Sequence, residues 1–440
     1  MAQNFIINGG KELHGEITVN TSKNATVAIL MGCLVNKGTT TLRSVPRIEE
    51  VFRLIEVLRS LNVEVEWINE DHDVKITPPT DLNWKDLDIE AARKTRSVIM
   101  LMGSFVHYFD NFLIPFAGGC TLGERTVEPH LQVLSHFGLH VDSHCTDGFY
   151  SCTVSPDTSV EKSIVLIERG DTVTENALFA SALFDGVTVI KNASSNYMVQ
   201  DVCFFLQTLG VEIDGIGTNT LTIRGKKEIN QSTEYYLSED PIEAMSFISV
   251  GITTNSEITI KRAPIDFLEI ELALLREMGL NYSLSVPYPA KNGKTKLVDI
   301  NIKKSALVSP IDKIHPMPFP GLNIDNLPFF ATIAAVAHGR TLIHDWVFEN
   351  RIIYLAELQK VGVKATLIDA HRMYIDGPTH WHPAELVAPS ALRPAVVLTI
   401  AMLAAEGQSS LRNIYPLQRG YQDFAKRLQG LGADITVVEN

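Results

Sequence analysis

One pattern of apolar and polar positions recurs six times along the chain. A stretch with apolar residues at helical spacing ends Leu-x-x-hydrophobic-Gly and runs into a short strand of alternating character. The copies are Leu58-Arg-Ser-Leu-Asn62-Val-Glu-Val and the segments starting at Leu134, Leu206, Leu275, Leu358 and Leu428. The closing residue is Gly138, Gly210, Gly279, Gly362 and Gly432 in five copies and Asn62 in the other. Gly and Asn are the residues that tolerate the left-handed backbone closing a helix. Successive copies lie 76, 72, 69, 83 and 70 residues apart. That spacing is too even for chance and too long for solenoid repeats of about 20–50 residues.

A second element keeps the same beat. An apolar, small-residue helical stretch enters a turn and then a β-branched strand. The clearest cases are Met31–Val35, Ala177–Phe184, Ala331–Ala337 and Val396–Ala405; Val98–Phe109 and Met245–Gly251 are weaker copies. Helices apolar all round belong inside a domain. The other helices carry a polar face, as in Glu49–Leu58 with Val51, Leu54, Ile55 and Leu58 on one side, and belong outside.

The pattern predicts an α/β (α+β) protein of two similar domains, each of three units with inner apolar helices. Length agrees: the chain has 440 residues, and single cores rarely grow beyond about 250–300 residues. The polar cluster Lys226–Tyr235 marks a crossing between the halves. The strand Gly15–Val19 precedes the first apolar helix, so the N-terminus belongs with the C-terminal half. The expected domains are 1–21 plus 234–440, and 22–233.

Composition excludes several classes. With 45% hydrophobic and 20% charged residues the chain is an ordinary globular protein, not a disordered or collagen-like one. A net charge of −13 argues against nonspecific binding of nucleic acid or of anionic membranes. The first residues lack the basic and apolar regions of a secretory signal, and no run of about 18–20 apolar residues is present. Five scattered cysteines without CxxC spacing read as free thiols of a reducing cytoplasm.

Candidate chemistry lies in loops. Phe116-Ala-Gly-Gly-Cys120-Thr-Leu-Gly-Glu-Arg125 brackets a thiol with glycines and places a cation five residues later. Glycines free the backbone, and a nearby cation lowers a thiol pKa. Such a loop suits a catalytic thiol; a plain glycine-rich connection is the alternative. Asn20-Thr-Ser-Lys23-Asn24-Ala25 puts Lys23 at a helix N-terminus, where the backbone favours an anion. An exposed lysine beside a cap is the plainer alternative. Arg96 and Arg393 precede apolar helices, and Arg351 and Arg419 stand where outer helices begin. Arginine recognises carboxylate and phosphate through two parallel hydrogen bonds. With Lys23 and Arg125 they suggest one anion-rich cleft between two domains, for a substrate carrying phosphate and carboxylate. Asp325, before another apolar helix, reads as that helix's cap or as a general base.

No metal or other cofactor is expected. His136, His140, His144 and Cys145 are split by Gly138, which ends the helix between the first two. His380 and His382 lack further ligands nearby, and no GxGxxG or GxxxxGK[ST] loop occurs.

Together these motifs resemble the enolpyruvyl transferases over essentially the whole chain. The resemblance rests on Ser22-Lys23-Asn24-Ala25, Lys94-Thr95-Arg96, Gly118-Gly119-Cys120-Thr121-Leu122-Gly123, Phe348-Glu349-Asn350-Arg351, Leu392-Arg393 and Arg419-Gly420-Tyr421. It implies two domains of three βαβαββ-like units each, an inside-out α/β barrel arrangement. The Gly-Gly-Cys loop points to the branch whose acceptor is UDP-N-acetylglucosamine. That branch moves enolpyruvyl from phosphoenolpyruvate to the 3′-hydroxyl and releases phosphate, the first committed step towards peptidoglycan. By carry-over, Lys23, Arg125 and Arg419 would hold the phosphate, and Arg351 and Arg393 would face the carboxylate. Asn24, Arg96 and Asp325 would contact the sugar, Cys120 would be the acid at the vinyl carbon, and Asp325 would accept the hydroxyl proton.

Two segments differ from the family pattern on its uridine side. Thr126-Val-Glu-Pro-His130 lacks the usual Pro after Arg125 and has Glu128 for Asp; Gly170-Asp171 replaces a Ser-Val-Gly run. Asp171 is expected to repel a diphosphate, so that Asp171→Ala improves nucleotide-sugar binding, and Arg169 is expected to counter it. Asp325 is assigned by its 26-residue distance to Arg351. Two rival readings fit the same residues: an enolpyruvyl transferase acting on another nucleotide or sugar, and a noncatalytic six-repeat clamp.

Overall fold

The computed structural model describes residues 3–70, 72–116, 126–142, 148–156 and 158–439. Cys120, Arg125, His144 and Cys145 lie outside the described residues. The protein is a mixed α/β chain, with helices buried against six small sheets among those residues.

Asn62 and the five glycines that close the leucine pattern all have positive φ, from 61° at Asn62 to 102° at Gly362. A left-handed residue ends each helix, and the chain turns into a short strand. Those strands are Glu64–Ile68, Leu139–Asp142, Glu212–Asp214, Tyr282–Leu284, Lys364–Leu367 and Asp434–Glu439. Each lies at the edge of its own sheet, antiparallel to its neighbour. In each sheet the strand after the apolar helix comes next but one. Its antiparallel partner in the last sheet is Gln3–Gly9, which pairs with both Gly407–Arg412 and Asp434–Glu439. The start of the chain thus completes the sheet built by its end. His14–Thr18 likewise pairs in parallel with Glu257–Pro264.

The chain divides into two compact units. One holds the residues up to 20 together with those from 239 onward; the other holds the described residues of 21–238. The strand Thr233–Tyr236, next to the expected boundary at 233/234, pairs as a whole with Thr40–Arg43 of the second unit.

Within the first unit the helices Pro241–Thr253, Phe329–Val336 and Leu392–Ala404 pack on one another. All of Pro241–Thr253 is buried, which is why it carries no polar stripe. Asp240 starts it by accepting from the Ile242 and Glu243 N–H groups, with Pro241 at the first helical position. Lys23–Gly32, Leu101–Phe105 and Asp171–Ala182 form the corresponding cluster of the second unit. Outer helices bury one face only: Val51, Leu54, Ile55 and Leu58 of Glu49–Ser60 are inside, while Glu56 is exposed.

The stretch expected as one helix over Val98–Phe109 is broken. A 3-10 turn, Arg96–Met100, leads into the short helix Leu101–Phe105. The cause is Asn176. Its Nδ2 donates to the Ile99 carbonyl at 3.0 Å, and its Oδ1 accepts from the Gly103 N–H at 2.9 Å. The amide therefore stands in for the 103→99 backbone bond and spreads the helix. A Cβ on Gly103 would meet the Asn176 carbonyl at 2.6 Å, so only glycine fits there.

Candidate active site

In the first unit a carboxylate lies between two arginines. Arg393 Nη2 is 3.3 Å from Asp325 Oδ2, and Arg351 Nη1 is 3.7 Å from Asp325 Oδ1. Arg393 sits in the first turn of the buried helix Leu392–Ala404, and its Nη1 donates to Tyr421 Oη at 3.2 Å. Burial pushes the Tyr421 phenol up to about 12, so it stays a neutral hydrogen-bonding group. Arg351 opens the short helix Arg351–Leu355 after left-handed Asn350. Its side chain is 1% exposed. Nε reaches Asp345 Oδ2 at 2.5 Å, Nη2 donates to the Ile324 carbonyl at 2.7 Å, and the guanidinium lies 4.5 Å from the Phe348 ring centre.

Asp325 does not cap the helix that follows. Phe329–Val336 starts after Pro328 without a side-chain cap, and the Asp325 carboxylate is turned to the arginines instead. Arg419 does not begin an outer helix. It follows the four-residue helix Tyr415–Gln418, and the outer helix starts only at Phe424 after left-handed Asp423.

Because Asp345 is as buried as Arg351, breaking their pair strands a carboxylate away from water. Arg351→Ala is therefore expected to destabilise the protein by about 3–5 kcal/mol, the usual cost of orphaning a buried charge. Urea unfolding of parent and variant measures it. A loss below about 1 kcal/mol, the range of exposed pairs, would mean the pair is not desolvated.

In the second unit Lys23 is the first residue of Lys23–Gly32, with Ser22 Oγ accepting from the Ala25 N–H at 3.1 Å. Lys23 Nζ donates to Asn24 Oδ1 at 3.3 Å, and Asn24 Nδ2 donates to Tyr197 Oη at 3.1 Å. Arg96 follows Thr95, whose hydroxyl donates to Glu50 Oε1 at 2.7 Å in a buried pair. Arg96 Nη2 reaches the Thr126 carbonyl at 3.4 Å. His130 is buried near it. Burial and, second, the Arg96 charge push its imidazole down to about 4, so it is neutral near pH 7. Asn176 Nδ2 donates to its Nδ1 at 3.0 Å, which assigns the ring proton to Nε2, 3.4 Å from Thr172 Oγ1.

Asp171 is not a bare carboxylate. Ser194 Oγ donates to its Oδ1 at 2.5 Å and Asn196 Nδ2 to its Oδ2 at 3.0 Å. It also lies in the first turn of Asp171–Ala182, where the helix dipole favours a negative charge. The carboxylate holds the 194–196 turn, so Asp171→Ala would free that turn as well as remove a negative charge. Arg169 braces the same turn, donating to the Ala193 carbonyl at 3.0 Å and Ser195 Oγ at 2.8 Å.

Cys33, Cys152 and Cys203 are buried and free, and burial raises all three thiols, Cys152 to about 12. Such thiols are poor nucleophiles. No cluster of His, Cys, Asp and Glu suited to a metal occurs among the described residues.

The sequence motifs therefore bring Asp325, Arg351 and Arg393 together in one unit, and Lys23 and Asn24 together in the other. Asp345, Tyr421 and Tyr197 complete these groups. Tyr421 was visible in the Arg419-Gly420-Tyr421 motif without a role; nothing local singles out Asp345 or Tyr197.

The chain as a whole is similar to several known proteins. Residues 7–428 match the family model described as EPSP synthase (3-phosphoshikimate 1-carboxyvinyltransferase). A UDP-N-acetylglucosamine 1-carboxyvinyltransferase of Treponema denticola is 30% identical over 436 residues, covering 99% of each chain. One of Bacteroides thetaiotaomicron is 32% identical over 440 aligned positions, covering 98% of this chain and 99% of that one. Among solved structures, the enolpyruvyl transferase NikO from Streptomyces tendae has a TM-score of 0.85 at 23% identity over 99% of both chains. An EPSP synthase from Acinetobacter baumannii has a TM-score of 0.77 at 19% identity, covering 99% of this chain and all of that one.

Proposed function

The chain belongs to this family, the enolpyruvyl transferases, and from that membership we propose that it moves enolpyruvyl from phosphoenolpyruvate to the 3′-hydroxyl of UDP-N-acetylglucosamine, releasing phosphate. The observation that carries the acceptor is the near-complete alignment with UDP-N-acetylglucosamine 1-carboxyvinyltransferases at about one-third identity. The reaction would supply the first committed step towards peptidoglycan, in the cytoplasm. Each sheet with its inner and outer helix is read as one βαβαββ-like unit, three to a domain.

The chemistry has two stages. In the first, a proton adds to the vinyl CH₂ of phosphoenolpyruvate while the sugar oxygen bonds to C2 and gives up its own proton. In the second, the C2–O bond to phosphate breaks and the new methyl group returns a proton, restoring the double bond. We assign the first proton to Cys120 and the accepted hydroxyl proton to Asp325. Arg393 and the Nη1 edge of Arg351 would face the carboxylate, and Lys23, Arg125 and Arg419 the phosphate. Asn24 and Arg96 would hold the sugar. Preplaced cations stabilise charge that builds near C2 because they need no reorganisation when it appears. The alternatives of another acceptor or a clamp have no observation favouring them.

Phosphate release tests the reaction directly. It is expected only when phosphoenolpyruvate and UDP-N-acetylglucosamine are both present. An epoxide phosphonate that mimics phosphoenolpyruvate is expected to label Cys120, faster with nucleotide sugar present. Cys33, Cys152 and Cys203 should stay unlabelled because burial keeps them as thiols. Peptide mapping that finds label spread across all five cysteines would remove Cys120 from its role.

A further inference from the structure

Tyr197 is the first residue of the helix Tyr197–Thr208 and is 2% exposed. A buried phenol needs a hydrogen-bond partner, and this one accepts from Asn24 Nδ2 at 3.1 Å. The other end of the same amide, Oδ1, receives Lys23 Nζ at 3.3 Å. An ammonium has donors only, so it selects the oxygen end of the amide. The phenol, which can accept, then takes the nitrogen end. Partners at both ends leave Asn24 one orientation. One of its amide N–H groups has no partner among the described residues.

The tyrosine is itself held from behind. Asn196 Oδ1 accepts from the Tyr197 N–H at 2.9 Å, while Asn196 Nδ2 donates to Asp171. Ser194 is tied to the same carboxylate, and Arg169 grips Ala193 and Ser195. A continuous run of contacts therefore goes from Asp171 through Asn196 and Tyr197 to Asn24 and Lys23. Its members come from three helix starts: Lys23, Asp171 and Tyr197.

We infer that Tyr197 is a positioning residue for acceptor binding: building on the proposed transfer reaction, its phenol orients the Asn24 amide so that the remaining N–H meets an oxygen of the nucleotide sugar. Tyr197 touches no reacting atom and acts through Asn24. Its effect therefore falls on the acceptor more than on phosphoenolpyruvate.

Tyr197→Phe keeps the ring and removes only the hydroxyl. Losing one neutral hydrogen bond is expected to raise KM for UDP-N-acetylglucosamine about 3- to 10-fold, with KM for phosphoenolpyruvate and kcat changing less than about 2-fold. In an Asn24→Ala background the same change should add nothing, because the group it orients is gone. An unchanged acceptor KM, equal rises in both KM values, or full additivity with Asn24→Ala would each overturn the proposal. So would a Tyr197→Phe chain that fails to fold, since the phenol would then be structural. Should the parent release no phosphate, the transfer reading fails by itself. Calorimetric titration of parent and Tyr197→Phe with UDP-N-acetylglucosamine would then decide the role of Tyr197, with equal affinities, or no binding to the parent, overturning it.

Discussion

Asp325→Asn is expected to cut kcat by about 10²- to 10⁴-fold, the range a positioned general base contributes. The substitution removes the proton acceptor but keeps an oxygen of similar size beside Arg351 and Arg393. Both contacts are long, 3.7 and 3.3 Å, and the Asp325 side chain is 24% exposed. Arg351 keeps the close Asp345 carboxylate as its counter-ion, so stability should fall less than in Arg351→Ala. Steady-state kinetics alongside a urea titration separates the two effects. A kcat within about 3-fold of the parent would take the base assignment away from Asp325. A large loss of stability would instead make it a structural counter-ion of the two arginines.

Arg393→Ala is expected to weaken phosphoenolpyruvate by roughly 30- to several-thousand-fold, corresponding to about 2–5 kcal/mol for a desolvated charge-assisted partner. The desolvation is on hand: Arg393 is 8% exposed, at the start of a helix buried along its length. Its two terminal nitrogens are held by Tyr421 and Asp325, so the guanidinium is already oriented before any ligand arrives. Preorientation lowers the entropy lost on binding. UDP-N-acetylglucosamine, whose proposed contacts are Asn24, Arg96 and Asp325, should lose far less affinity. Separate titrations with each ligand test the contrast, and equal losses would show that Arg393 does not meet the carboxylate.

Arg351 and Arg393 are alike in sequence and different in the fold. Both stood out for the same reason, an arginine at a helix start in a family-like motif. Only tertiary packing separates them. Arg351 is locked by Asp345, the Ile324 carbonyl and the Phe348 ring, so its removal threatens the fold first. Arg393 meets Asp325 at 3.3 Å and Tyr421 Oη at 3.2 Å, and it is the arginine proposed to meet the carboxylate. Asp171 makes the same point in reverse. In sequence it stands as an added carboxylate beside an anion site, but Ser194 and Asn196 had already claimed both oxygens. Those partners lie more than twenty residues away, beyond any local pattern.

What the sequence by itself determined is the local backbone. Asn62 and five glycines end helices because their φ is positive, and sterics between a residue and its own peptide neighbours decide that without help from the rest of the chain. The apolar helices were legible for a similar reason, since a helix buried all round has no polar face to show. Even the pairing of the N-terminal strands with the far half followed from the order of elements within a unit. The tertiary structure alone decided which side chains meet. Asn24 and Tyr197 are 173 residues apart, and Arg393 and Asp325 are 68 apart. The amide of Asn176, from 73 and 77 residues away, meets the backbone where the helix expected over Val98–Phe109 is broken. Contacts of this kind depend on side-chain direction and distance to within about an ångström, because a hydrogen bond weakens steeply outside its narrow geometry. Periodicity along a chain carries no information at that scale, whereas the packed fold sets it.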